Sequence, residues 1–349
     1  MKIFSTLALL TLVGTCATPK YTLKIENLKD SITLVDTTAV NKYAKTITAN
    51  KLKTQLYKFA SEDFQGRKAG EKGQKLAADF LQSYYIKEGI ASPLGNTNYF
   101  QNIAPSYLPQ GVDSTENVLA YIKGSEKPDE IIVLSAHLDH LGVEDGKTHY
   151  GADDDGSGTV AILEIAQAFK YAAANGYAPK RSVLFTHFTA EEIGQIGSRY
   201  YVENPIFPLE NTVANLNIDM IGRVDDRHTE NKNYVYLIGS DRISKELHYV
   251  SEAVGKQYSD INLDYTYNSL NDRNQYYSRS DHYKFALRGI PVIFYFNGEH
   301  ADYHKHTDTP DKIDYELLEK RTRLIFATLW QLANQERRIA SDENSVFLN

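Results

Sequence analysis

Four short apolar runs in this chain each end at a residue that can bind a metal ion or move a proton. Ile131-Ile132-Val133-Leu134-Ser135-Ala136 stops at His137, and the run from Ser182 to Ala190 stops at Glu191-Glu192. Val213 to Ile218 stops at Asp219, and Ile290 to Phe296 leads into a loop holding His300, His304 and His306. Runs of about four to eight apolar residues bounded by polar turns mark strands buried on both faces. Helical spacing surrounds them, from about Asn50 to Phe64, between Gly73 and Gly89, and over Gly156 to Tyr171, Ile193 to Tyr201, Arg242 to Val254, Asp281 to Leu287 and Tyr315 to Asn334. Such alternation predicts an α/β sheet with helices on both faces. Ligands in these sheets sit beyond the carboxyl ends of the strands, so the four chemical turns are expected to share one edge and one site.

Composition narrows the class. With 42% hydrophobic and 24% charged residues the chain has the balance of a globular domain, which excludes disordered and fibrous classes. A net charge of -7 argues against a nucleic-acid scaffold, so no nucleic-acid partner is expected. No Pro/Gly/Ser-rich linker or internal repeat divides the chain, so one domain is read from Tyr21 to Arg338, with 339–349 as a tail.

Residues 1–15 read as a signal peptide: Lys2 precedes an apolar stretch from Ile3 to Val13 that is too short to span about 30 Å of hydrocarbon. Val13-Gly14-Thr15-Cys16 resembles a bacterial lipoprotein box, although Thr15 stands where Gly, Ala or Ser is usual. Lipidated Cys16 would attach the protein to a membrane; the alternative is an ordinary cleaved signal with an incidental cysteine. Both readings export the protein, to the periplasm or the outer membrane. Cys16 is the only cysteine, so no disulfide within the chain can form.

Each chemical turn also has a bland explanation. His137-Leu138-Asp139 places two polar groups at a strand end, where Asp139 would take the second N–H of a ligating His137; alone, it is more often a surface turn. Asp153-Asp154-Asp155 repel one another, and helix capping accounts for one of them well and three poorly, whereas a cation would relieve all three. Glu191 and Glu192 diverge as neighbours, so one can bind metal while the other handles a proton; the bland reading is acidic charge at a helix start. Asp219 follows a buried run and needs a cation or an arginine, for which Arg223 is the nearby candidate.

Taken together, these residues resemble peptidase family M28. The matching segments are His137-Leu138-Asp139, Gly151-Ala152-Asp153-Asp154-Asp155-Gly156-Ser157-Gly158, Glu191-Glu192, Asp219, and Tyr303-His304 ahead of Asp308-Thr309. Arg279-Ser280-Asp281-His282 and Gly66-Arg67 with Gly70 and Gly73 extend the likeness from about Asn50 to Gln331. The resemblance implies a three-layer α/β fold in a single domain, with a mixed, mostly parallel sheet between helices. It implies two zinc ions bridged by Asp154, one also held by His137 and Asp219 and the other by Glu192 and His304. Glu191 would be the general base and Tyr303 a donor to the oxyanion. His304 fits the family's spacing to Asp308-Thr309, and His306 would leave it two residues short; His140, His282, His300 and His306 are expected to face solvent or lie behind the ligands. The implied activity is an aminopeptidase acting on peptides through metal-activated water. The alternatives are a glutaminyl-peptide cyclotransferase on the same fold and a non-catalytic binding protein. Related cyclases often carry Trp before the last zinc histidine, where this chain has Tyr303; its one tryptophan is Trp330.

Overall fold

A computed structural model describes residues 17–342, with side chains from residue 24 onward; residues 1–15, read above as a signal peptide, Cys16 and residues 343–349 lie outside the described residues. The strands in chain order are β1 (Phe100–Ile103), β2 (Thr115–Ile122), β3 (Lys127–His137), β4 (Gly142–Glu144), β5 (Lys147–His149), β6 (Arg181–Phe188), β7 (Thr212–Ile218), β8 (Tyr234–Ile238), β9 (Asn262–Asp264) and β10 (Val292–Phe296). The helices are α1 (Ala17–Asp30), α2 (Thr37–Ala44), α3 (Ala49–Phe59), α4 (Lys72–Lys87), α5 (Gly158–Ala174), α6 (Ile196–Glu203), α7 (Lys245–Tyr258), α8 (His282–Ala286) and α9 (Tyr315–Asn334). Among the described residues no helix is long and apolar enough to cross a membrane.

The four apolar runs become four neighbouring strands, β6, β3, β7 and β10, all parallel and at the centre of an eight-stranded sheet. The sheet order is β1-β2-β6-β3-β7-β10-β8-β9, with antiparallel pairing at β1-β2, β2-β6 and β10-β8 and parallel pairing at β8-β9. Successive strand side chains point to opposite faces. Accordingly Ile132 and Leu134 pack in the core containing residues of α5 and α9, and Ile131 and Val133 in the core containing residues of α6 and α8. The fold is thus a single α/β unit with a mixed, mostly parallel sheet covered on both faces.

Several boundaries differ from the sequence reading. The helical pattern read from about Asn50 to Phe64 is α3, which ends at Phe59; a separate tight turn over Glu62–Arg67 follows, in which Gln65 and Gly66 are left-handed (φ 48° and 66°) and Arg67 is buried. Helix α5 starts at Gly158, after the acidic residues have formed a wide turn of their own. Helix α6 starts at Ile196, because Gly194 (φ 117°) and Gln195 (φ 55°) turn the chain first. Beyond Arg338 the chain still packs: Ile339 is buried, Ser244 Oγ donates to the Ala340 carbonyl (2.6 Å), and Asp342 N–H donates to the Ile243 carbonyl (2.8 Å).

Candidate metal centre

The carboxyl ends of the four central strands meet at one edge. His137 ends β3, Glu191-Glu192 lie just past β6, Asp219 follows β7 directly, and the loop after β10 brings in His304. Ala190 (φ 54°), Met220 (φ 62°) and His304 (φ 56°) are left-handed without being glycine. Such residues cost about 1–3 kcal/mol each and gather at functional sites. Gly151 (φ 52°) is required as glycine, because a Cβ there would collide with the Asp154 carbonyl and the His140 ring.

The three consecutive aspartates have three different tasks. Asp155 accepts the N–H groups of His137 (3.2 Å), Gly158 (2.9 Å) and Met220 (3.1 Å), tying β3, α5 and the end of β7 together. Asp153 accepts the Gly222 N–H (2.7 Å) and faces His300 Nε2 (3.2 Å). Asp154 points into the site: His137 Nε2 lies 3.1 Å from Oδ1 and His304 Nε2 lies 3.2 Å from Oδ2. The turn is held from behind by Asp308, whose Oδ2 accepts the N–H groups of Asp153 (2.9 Å) and Asp154 (3.2 Å).

Two candidate metal-binding groups result, sharing Asp154: His137 and Asp219 complete the first, and Glu192 the second, with both His140 and His304 within reach of it. In the first, His137 Nε2 faces Asp154 (3.1 Å) and Asp219 Oδ1 (3.6 Å). In the second, His304 Nε2 faces Asp154 (3.2 Å) and Glu192 Oε2 (3.2 Å). Ligands about 2.0–2.2 Å from a tetrahedral zinc stand about 3.3 Å from one another, so these spacings fit a metal ion in each triad. The charges fit as well. Burial would keep His137 neutral, yet Asp219 and Asp154 outweigh it and raise the imidazole well above its ordinary value. His304 is likewise pushed up to about 10, with burial overcome by Asp154 and Glu192. The carboxylates thus demand positive charge in both triads, where a proton stands in for a cation. Burial would raise Asp154 itself, but hydrogen bonds from His137 and His304 hold it well below the usual range. Glu191 moves the other way: burial, joined by Asp281, Glu192 and Asp219 and opposed by His137, raises it well above its ordinary value.

Two expectations are corrected. His137 Nδ1 donates to the backbone carbonyl of Asp139 (3.1 Å), and the Asp139 carboxylate lies 3.9 Å away. That carboxylate instead accepts the N–H groups of Glu191 (3.1 Å) and Glu192 (3.4 Å), because the chain turns at Leu138 and swings it toward the neighbouring strand's loop. Arg223 does not partner Asp219; it pairs with Asp302 (3.0 Å), and Ser280 Oγ donates to Asp219 Oδ2 (2.6 Å). Of the other histidines, His306 is exposed, while His300 and His140 lie behind the ligands on Asp153 and Glu192. His282 does neither: it is buried, stacked on Phe294, and burial pulls it down to about 3.

A small cavity of about 30 Å³ opens over the triads. Met220, Tyr276, Phe294 and Phe296 form its apolar side, and Arg279 and Glu299 pair beside it (2.9 Å). Arg279 Nη2 also donates to the Tyr303 hydroxyl (3.3 Å). Burial and the nearby carboxylates raise the Tyr303 phenol far above its ordinary value, so it stays a donor. The sequence marked Arg279 and Ser280 only as part of the family likeness, with no role assigned, and Glu299 went unmarked.

The model of peptidase family M28 matches residues 117–329. The chain belongs to family M28. Its relatives in this family include the leupeptin-inactivating enzyme 1 of Streptomyces exfoliatus, 29% identical over 253 residues, which cover 72% of this chain and 49% of that protein. The chain spans about half or less of the length of the curated relatives it matches. Among solved structures, the LapA aminopeptidase of Legionella pneumophila aligns with TM-score 0.67 at 20% identity, covering 97% of this chain and 81% of that one. The glutaminyl cyclase of Porphyromonas gingivalis aligns with TM-score 0.64 at 19% identity, covering 81% and 98%. At these identities the two structures establish a shared fold.

Proposed function

We propose that this chain is a zinc-dependent aminopeptidase that removes residues from the N-termini of peptides. One observation carries the choice of terminus. Asp154, Glu191, Glu192, Asp219 and Glu299 line the cavity, and its arginine, Arg279, is already engaged by Glu299 at 2.9 Å. Three of those carboxylates would be taken up by zinc and Glu191 by the proton, so the choice of terminus rests on the arginine: the described lining holds no unpaired arginine for a C-terminal carboxylate.

His137, Asp154 and Asp219 would hold one zinc ion, and Glu192, Asp154 and His304 a second. When bound, zinc supplies Lewis-acid polarisation and lowers the pKa of water. The protein's own groups do the rest. Glu191, half-buried and raised in pKa, takes a proton from the attacking water and delivers it to the leaving nitrogen. Tyr303 donates a hydrogen bond where negative charge develops on the carbonyl oxygen, with Arg279 fixing its hydroxyl. The leupeptin-inactivating relative and the LapA neighbour support a peptidase. The cyclase alternative shares the fold, but Trp330 is buried in α9 against Tyr43 and Phe169, within the core. The same proposal assigns the activity to the periplasm or outer membrane, on the reading of residues 1–15 as a signal peptide.

The test is mass spectrometry of a mixed peptide set incubated with the zinc-loaded protein, run beside Glu191→Gln. Stepwise loss from N-termini is expected, slowed by about 10²- to 10⁴-fold in the variant with its metal content intact. Trimming from C-termini, pyroglutamate formation from N-terminal Gln, or full turnover by Glu191→Gln would overturn the reading.

A further inference from the structure

We infer that His140 is a positioning residue for the second metal site: it holds Glu192 Oε1, and so leaves Oε2 as the oxygen that faces the ion. This rests on the two-metal reading above. The imidazole is 1% exposed, and its Nδ1 lies 2.7 Å from Glu192 Oε1. Its other nitrogen is buried with no hydrogen-bond partner among the described residues, so the ring's hydrogen bonding runs through Nδ1 to Glu192. The ring has no room to turn away, since the backbone at Gly151 packs against it so closely that a Cβ there would collide with Cγ. On the chain side, the His140 N–H donates to the Arg67 carbonyl (3.3 Å).

The distances separate positioning from ligation. Two ligands of one tetrahedral zinc stand about 3.3 Å apart. His140 and Glu192 are closer, at 2.7 Å, which is a donor-acceptor distance, while His140 Nδ1 stands off from Asp154 Oδ2 at 3.8 Å. His304 has the ligand spacing instead, 3.2 Å from both Asp154 Oδ2 and Glu192 Oε2. Glu192 is thus gripped from two sides, by a buried imidazole on Oε1 and by one that is 39% exposed on Oε2. The exposed ring rides on a surface loop, so the buried one keeps this flexible side chain oriented before metal arrives. Partners behind the ligands fix their orientation in this way, and losing one typically weakens metal binding by about 10- to 100-fold.

The test is calorimetric titration of zinc into the metal-free full-length protein, with chelator competition to resolve the two affinities. Wild type should take up two equivalents. His140→Ala should weaken one of them by about 10- to 100-fold and leave the other as in wild type. His140→Asn, whose side-chain amide can donate from the position of Nδ1, should restore the weakened site. Two unchanged affinities in His140→Ala would overturn the inference, and so would a His140→Asn as impaired as His140→Ala, since that result makes His140 a ligand. If circular dichroism shows His140→Ala unfolded, His140→Asn decides alone: wild-type affinities support the inference and a weakened site overturns it. Fewer than two equivalents in wild type would instead refute the two-metal reading itself.

Discussion

Arg67 offers the strongest test of how the ligand turns are held. The side chain is 1% exposed, and it donates from Nε to the Leu138 carbonyl (2.8 Å), from Nη1 to those of Phe59 (3.2 Å) and Tyr150 (2.7 Å), and from Nη2 to that of Gly151 (2.9 Å). Burial pulls its pKa down to about 10, with Asp139, Asp154, Asp308 and Asp155 opposing, so it stays charged at neutral pH. One guanidinium therefore clamps two of the turns that present the candidate ligands, those of His137 and Asp154. Arg67→Met strands four carbonyl oxygens. At about 1.5–3 kcal/mol for each hydrogen bond to a charged group, the gross loss is about 6–12 kcal/mol. Removing the guanidinium also recovers the cost of burying it, and breaking a buried charged contact from one side typically nets about 3–5 kcal/mol. For a chain of this size, with an unfolding entropy of roughly 0.7 kcal/mol/K, that lowers Tm by about 4–7 °C. Arg67→Lys keeps the charge but not the fork, so its loss should be intermediate. Scanning calorimetry of the metal-free proteins measures this. An Arg67→Met protein within about 0.5 kcal/mol of wild type, the scatter of an inconsequential surface change, would refute the clamp.

Two further outcomes follow from the same structure. Tyr303→Phe removes a hydroxyl held by Arg279, and kcat should fall by about 10²- to 10³-fold with little change in KM; a loss confined to KM would show that the hydroxyl binds substrate instead. Glu164 tests the core far from the metal centre. It is 2% exposed with Lys51 Nζ at 3.7 Å, and burial, opposed by Lys51 and reinforced by Glu88, raises its carboxyl from 4.5 to about 7. The folded state then holds the proton more tightly than the unfolded one. The stability this adds is complete below about pH 4.5 and is lost as pH rises through about 7. Glu164→Gln should therefore match wild type near pH 4.5 and exceed it at pH 8 by up to about 3 kcal/mol. A Tm difference that does not grow between about pH 5 and 8 would contradict the assignment.

What the sequence made legible, and what it hid, divides along physical lines. β6, β3, β7 and β10 announced themselves because a parallel strand buried on both faces must be apolar at nearly every position, and their shared edge, though not their order, followed from where each run stopped. The flanking strands did not. β2 carries Thr115, Glu116 and Asn117 at buried positions, and β8, although its Tyr234-Val235-Tyr236-Leu237-Ile238 is an apolar run, stops at Gly239 rather than at a residue that binds metal or moves a proton. The ligand types were legible because few residues bind zinc, but spacing along a chain does not fix which atom of a residue faces the ion. Asp139 shows the limit. Strand alternation places it on the same side as His137, yet the chain leaves the strand at Leu138, whose N–H donates to the Phe188 carbonyl (2.8 Å). The carboxylate then caps Glu191 and Glu192, and a backbone carbonyl takes over the histidine. The roles of Arg67, His140 and Ser280 were hidden for the same reason, although the residues themselves were named: each acts by holding another residue's oxygen, across separations of 71, 52 and 61 residues. Residue type therefore identifies the groups that touch a metal, while the groups that aim them are set by packing and emerge only once the chain is folded.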